Sequence, residues 1–282
     1  MSDVEKSLSA ARVVSFGAPS GHAGQASAVD DLGTPYAGGH AQRVVSLVPS
    51  LTEALASVHA DRIVGATDWC THPVGLETTR VRGTKNPDVA AIRALEPDVV
   101  IANKEENREL DVRRLRESGI DVWVTDIRTV PDAIGSMERL FDAVEWDRPG
   151  WLATSRDAWC GPLPEVTRTV AVPIWRDPWM VVGADTFTGD LLRRLGWRNV
   201  FGQAAERYPH TTVAEIERQA PDVVLLPDEP YVFTADDGPE AFTRTPTELI
   251  SGRLLTWYGP SLVEARKLTS RPAESDVSTR EN

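Results

Sequence analysis

Cysteine is scarce in this chain: only Cys70 and Cys160 occur among 282 residues, and neither stands in a CxxC or metal-knuckle spacing. A disulfide framework is therefore not expected. Basic residues are outnumbered, 30 Lys and Arg against 42 Asp and Glu, for a formal charge of −12. Phosphate binding needs a basic stripe that releases counterions, so nucleic acid is excluded as a partner and an anionic membrane surface is disfavoured. No run approaches the roughly 20 apolar residues of a membrane helix, so membrane insertion is not expected. Residues 1–42 contain neither the 7–15-residue apolar core of a secretory signal nor a lipid-anchor cysteine. The expectation is a cytoplasmic protein with a disordered 1–42 tail, periplasmic or surface-exposed only if the start codon lies elsewhere. Phosphate cradles of the GxxxxGK[ST] and GxGxxG types are missing, as is a GxSxG nucleophile elbow. Asp68, Cys70, His72 and His210 make one loose cluster without the paired spacing of a zinc site, so no metal site is expected.

What is present has the balance of a folded protein, with 41% hydrophobic and 26% charged residues. The β-branched run Val44, Val45, Leu47, Val48 reads as a buried strand. Ser50 and Glu53 after it have the spacing of a capping box for a helix through Val58. Further apolar runs at 63–66, 99–102 and 122–124 alternate with helical patterns near 89–95 and 110–118. Such alternation predicts a parallel, doubly wound sheet. Ile134, Met137, Leu140, Phe141 and Val144 keep helical spacing after Pro131; a break at 147–150 precedes another helical piece around 151–159. A second α/β series then runs from Val170 through helices near 189–195 and 212–219, a strand at 223–226 and a helix after Pro260. The predicted organisation is an N-terminal lobe over 43–130, linking helix over 131–160, C-terminal lobe over 161–268 and disordered tail over 269–282.

An internal repeat supports two lobes of one design. Val89, Ile92, Pro97, Asp98, Val99, Val100 and Glu105 match Val213, Ile216, Pro221, Asp222, Val223, Val224 and Glu229 at one offset, 221 − 97 = 229 − 105 = 124. Pro-Asp-Val-Val alone could be an ordinary helix-to-strand junction; the further positions in register favour duplication. Parallel sheets bind ligands beyond the carboxyl ends of their strands, so the loops there are the candidate site. They supply Ser50, Asp68, Trp69, Asn103, Glu105, Trp175, Asp177, Trp179, Glu229 and Tyr231. Trp257 and Tyr258 join them as cleft wall, because Gly259-Pro260 forces a turn directly afterwards. Flat apolar faces with a few placed acceptors suit a bulky neutral or cationic small molecule. Trp123, inside a strand, and Trp197, on a helix face, are assigned to the core instead.

With these residues assembled, the chain resembles the helical-backbone, class III substrate-binding proteins that serve cobalamin, haem and iron-siderophore transporters. The resemblance spans roughly 42–268 and rests on RVVSLVPSLTE at 43–53, IVGATDW at 63–69, LEPDVVIAN at 95–103 and VVGADTFTGDLLRRLGWRNVF at 181–201. It implies two Rossmann-like lobes with parallel sheets, joined by a long backbone helix, with a ligand cleft between them. It also implies a cobalamin-like ligand or an iron chelate, with no tightly required cofactor, and puts Trp69 where an aromatic meets the ligand. Family members that dock on an ABC permease carry a glutamate on each lobe, where this chain has Ala90 and Ala214. That departure weakens the case for permease docking. The expected function is ligand binding with no catalytic residues. The alternatives are a cytoplasmic enzyme using cleft carboxylates such as Glu105-Glu106 and Asp228-Glu229, and an exported transporter component with a mis-set start.

Overall fold

A computed structural model describes residues 28–270. Ala28–Val29 (β1) and Pro35–Tyr36 (β2) form a short antiparallel hairpin. Five strands then build the first lobe around Val44–Ser46 (β3), Ile63–Ala66 (β4) and Thr79–Arg80 (β5). Arg82–Gly83 (β6) and Asn86–Pro87 (β7) pair as a hairpin, and Val99–Asn103 (β8) and Val122–Thr125 (β9) complete the sheet. Its order is β5-β4-β3-β8-β9, every neighbour parallel. Helices Pro49–His59 (α1), Val89–Ala94 (α2) and Glu109–Glu117 (α3) make the crossovers. Successive strand residues face opposite ways: Val44, Val99 and Ile101 enter one apolar cluster, while Val45, Val100 and Ala102 enter another with Ile92 and Leu115. Burial on both faces is what makes these strands continuously apolar rather than alternating.

Val130–Ala143 (α4) and Gly150–Trp159 (α5) connect the lobes, separated at the break read from the sequence. The Val130 amide donates to Asp190 across to the second lobe (2.9 Å), and the Trp159 indole donates to the Leu262 carbonyl (2.9 Å). The linker is thereby fastened to the second lobe at both ends. That lobe contains Arg168–Ala171 (β10), Pro173–Trp175 (β11), Met180–Val181 (β12), Phe187–Arg194 (α6) and Trp197–Asn199 (β13). Val213–Arg218 (α7), Val223–Pro227 (β14), Thr247–Ile250 (β15), Gly252–Thr256 (α8) and Ser261–Ala265 (α9) follow. The parallel sheet runs β13-β10-β14-β15, with β11 and β12 as a separate hairpin.

The repeat is structural. Adding 124 to the bounds of α2 and β8 gives those of α7 and β14. Asp88 and Thr212, also 124 apart, cap the two helices. Glu96 and Ala220 each leave the helix at positive φ, +45° and +49°. The following proline continues the break, since its ring excludes a helical residue before it. Asp98 and Asp222 then accept from the backbone amides of Arg43 (2.9 Å) and Thr169 (2.6 Å), pinning the start of the neighbouring central strand in each lobe.

Three local expectations need correction. Residues 28–42, assigned to a disordered tail, are ordered: Asp30 accepts from the Leu32 and Thr34 amides, and pairs with Arg116 and the Val124 amide. Asp31 binds Ser136, Arg139 and the Asp126 amide, and Tyr36 packs edge-on against Trp123, so polar bonds and scattered apolar contacts anchor the segment without an apolar run to read. Residues 1–27 and 271–282, the rest of the predicted tails, lie outside the described residues. Ser50 does not cap α1, which starts at Pro49 without a side-chain cap. The run from Val170 to Ile174 is two strands, interrupted at Val172, because β11 turns away to pair with β12.

Candidate functional site

The C-terminal ends of both sheets carry the loops expected to bind. After β4, Thr67 and Cys70 turn inward, where the Cys70 sulfur meets Thr52 (3.0 Å) and Thr67 (3.1 Å) hydroxyls. Burial pushes that thiol above its ordinary range. Arg80 holds the same loop by donating to the carbonyls of Thr67 and Cys70. Asp68 and Trp69 are consequently displayed outward, and Trp69 is 66% exposed. Its indole nitrogen edge sits by Gly83 of the β6–β7 hairpin, where a Cβ would approach to 3.4 Å. A large aromatic with its surface in solvent offers a stacking platform, since burying that area is worth several kcal/mol to a ligand.

In the second lobe, Trp175 closes β11 and is 45% exposed, set edge-on to Tyr231 at 5.5 Å. The Tyr231 hydroxyl donates to Asp237 (2.7 Å), which Arg176 also binds, so this aromatic pair is fixed from behind. Asp177 is exposed at a positive-φ turn beside Arg176. Trp179 belongs elsewhere: it stacks on Phe233 (5.8 Å, 13°) and meets Phe242 edge-on, within the apolar packing of the second lobe. Its neighbours in sequence sit in a loop, but its ring points under the loop.

Asn103 is likewise not free to meet a ligand. Its amide donates to Thr125 (3.0 Å) and its carbonyl accepts from the Glu105 and Glu106 amides. Its work is to fold the 104–107 loop, with the Asn107 side-chain oxygen accepting from the Asn103 backbone amide (2.8 Å). That loop presents Glu105 to Arg207 of the second lobe (3.0 Å) and Glu106 to the hydroxyl of Tyr258, which donates to it at 3.2 Å. Burial raises the Glu106 carboxyl to about 7. Trp257 and Tyr258, expected as open cleft wall, are buried. Tyr258 packs edge-on against Phe187 with its hydroxyl turned to Glu106, while Trp257 meets His72 of the first lobe at 5.4 Å. Ser50 Oγ is buried without a hydrogen bond of good geometry, beside the Tyr258 hydroxyl. Glu229, at the end of β14, has its carboxyl raised to about 7 by burial and by Asp228, and its Oε1 also lacks a partner.

The structure thus brings Ser50, Glu105, Glu229, Trp257 and Tyr258 to the contact between the lobes. It displays Asp68, Trp69, Trp175 and Asp177 at the loop tips, and places Asn103 and Trp179 in supporting roles. Two participants escaped the sequence reading. Arg207 precedes α7 rather than ending a strand, so the strand-end rule does not reach it. Arg253, which binds Glu53 of α1 and Glu264 of α9, lies in a segment without a recognisable motif. Among the described residues, no group of three or more His, Cys, Asp or Glu side chains is placed to hold a metal ion, and no helix is long and apolar enough to cross a membrane.

No family model matches the chain. It is similar to the vitamin B12-binding protein of Vibrio parahaemolyticus serotype O3:K6, 23% identical over 192 residues that cover 65% of this chain and 70% of the relative. Its fold is that of the periplasmic vitamin B12 binding protein of Vibrio cholerae: TM-score 0.64, 18% identity, 82% of this chain and 95% of that one. It is equally that of a periplasmic heme binding protein from Pseudomonas aeruginosa: TM-score 0.67, 20% identity, 82% and 91% covered. The two-lobed α/β architecture with parallel sheets expected from the sequence is the architecture found, with two helices, α4 and α5, where one long linking helix was expected.

Proposed function

We propose that this chain, which has the fold of the two-lobed periplasmic binding proteins and is similar to vitamin B12-binding proteins, binds a corrinoid between its lobes without transforming it. The observation that carries this reading is the pair of displayed tryptophans: Trp69, in the loop after β4 of the first lobe's parallel sheet, and Trp175, at the end of the β11 hairpin strand of the second lobe, edge-on to Tyr231. Two flat surfaces suit a broad macrocyclic ligand, and the acceptors around them suit its amide periphery. The alternative of cleft acid–base catalysis draws on the raised carboxyls of Glu106 and Glu229, but burial is the main cause in both.

Permease docking is not part of this proposal. Ala90 and Ala214 stand exposed at the second positions of α2 and α7, and the adjacent Glu215 is engaged by Arg218 and Gln219. The proposal is tested by purifying the protein from its native host and recording its absorption spectrum with mass spectrometry of what accompanies it. A corrinoid near one-to-one supports the reading. A colourless protein that also ignores added cobalamin overturns it.

A further inference from the structure

The contact between the lobes is acidic, and its cations are already bound. Lys85 donates to the Glu105 carbonyl; Arg207 pairs with Glu105 and donates to the Asp185 carbonyl; Arg253 is held by Glu53 and Glu264. On the second lobe's rim, Arg176 is held by Asp237 and Glu240. Against these stand Glu106 on the first lobe and Glu229 on the second, neither of them in a salt bridge among the described residues, with Lys85 near the one and Arg253 near the other. Glu106 faces Tyr258, Glu105, Lys85 and Glu229; Glu229 faces Asp228, Arg253 and the side chains of Trp257 and Thr256. A separate observation points to a ligand here: Ser50 Oγ, on a residue only 3% exposed, makes no hydrogen bond of good geometry beside the Tyr258 hydroxyl, and the buried Glu229 Oε1 is likewise left without one. Buried polar atoms are nearly always satisfied, so unpaired ones at the contact between the lobes mark where a bound molecule would supply the missing bond.

We propose, resting on the binding function above, that Glu106 and Glu229 set ligand specificity by excluding chelates with anionic edges and accepting a chelate rimmed with amides. A porphyrin with two carboxylates would bring like charge against them, while the arginines at this contact, Arg207 and Arg253, are already paired with Glu105 and with Glu53 and Glu264. A primary amide donates to carboxyl and hydroxyl oxygens, which are the groups left open. Exclusion built from unanswered charge is specificity by repulsion, and it discriminates between two flat macrocycles that the tryptophans alone would treat alike.

The test is titration of the full chain with cyanocobalamin and, separately, with hemin, comparing wild type with Glu106→Gln, Glu229→Gln and the double variant. The expected result is a hemin-to-cyanocobalamin affinity ratio that rises about tenfold or more in the double variant at about pH 8. In wild type the same ratio rises as pH falls to about 6 and the carboxyls take up protons, and the double variant loses that dependence. Both ligands are measured on one preparation, so the ratio is insensitive to a loss of folded fraction. A ratio unchanged by both substitutions and by pH overturns this inference while leaving corrinoid binding intact. Failure of wild type to bind cyanocobalamin at all overturns the functional reading beneath it.

Discussion

Arg253→Ala probes how the two lobes are held together. Arg253 lies on α8 of the second lobe and grips the Glu53 carboxylate of α1 through two nitrogens, one contact at 3.3 Å. The Glu53 side chain is 9% exposed and that of Arg253 16%, so the pair is largely withdrawn from water, whereas Glu264, the second partner, is 55% exposed. The Glu264 bond is solvated and worth well under about 1 kcal/mol. Removing the guanidinium leaves Glu53 buried and unpaired, which costs about 3–5 kcal/mol. Urea unfolding at neutral pH should show a loss near the lower end, about 3 kcal/mol, because water can enter beside Glu264. Glu53→Gln should cost less, since its amide oxygen still accepts from Arg253, and the double variant should cost less than the two single losses summed. A loss below about 1 kcal/mol for Arg253→Ala, or strict additivity of the double variant, would refute the claim that this pair is buried and coupled.

The displayed and buried tryptophans should separate in their effects. Trp69→Ala and Trp175→Ala each weaken ligand binding by about ten- to a hundredfold with little change in unfolding midpoint, as read by calorimetric titration and urea melts. Trp179→Ala instead costs about 3 kcal/mol of stability, because its ring fills the packing against Phe233 and Phe242. The pH dependence of unfolding should follow Glu106 and Glu229. Their folded values, about 7 against an ordinary 4.5, mean that the neutral form is favoured in the fold. Their contribution is complete below about pH 4.5 and lost as pH rises through 7; it is at most about 3 kcal/mol each and is abolished by Gln substitution. Gly183→Ala tests a close backbone approach, since a Cβ there would sit 2.3 Å from the Glu206 carbonyl. A loss of about 1–3 kcal/mol is expected in the same urea assay.

The architecture could be read from the sequence because its signals are local and repeated. Strands buried on both faces are continuous apolar runs, and the Pro-Asp junctions recur because each lobe uses the same aspartate to pin the start of its central strand. The 28–36 hairpin escaped because polar bonds from Asp30 and Asp31 and one isolated aromatic, Tyr36, attach it rather than a periodic apolar pattern. At the site, the strand-end rule picks out Trp69, Trp175, Glu105 and Glu229, which the fold places at loop tips or at the contact between the lobes. They could not tell which way a loop side chain turns: Asn103 folds its own loop and Trp179 tucks beneath its hairpin. Arg207 and Arg253 act on residues 102 and 200 positions away, a relation that only the folded chain supplies.

The most direct test of the account is equilibrium titration of the purified chain with cyanocobalamin, followed by tryptophan fluorescence and repeated with Trp69→Ala. The account predicts saturable one-to-one quenching in the wild type and a clearly weakened curve in the variant. Absence of saturable binding in the wild type, or an identical curve in the variant, would contradict it.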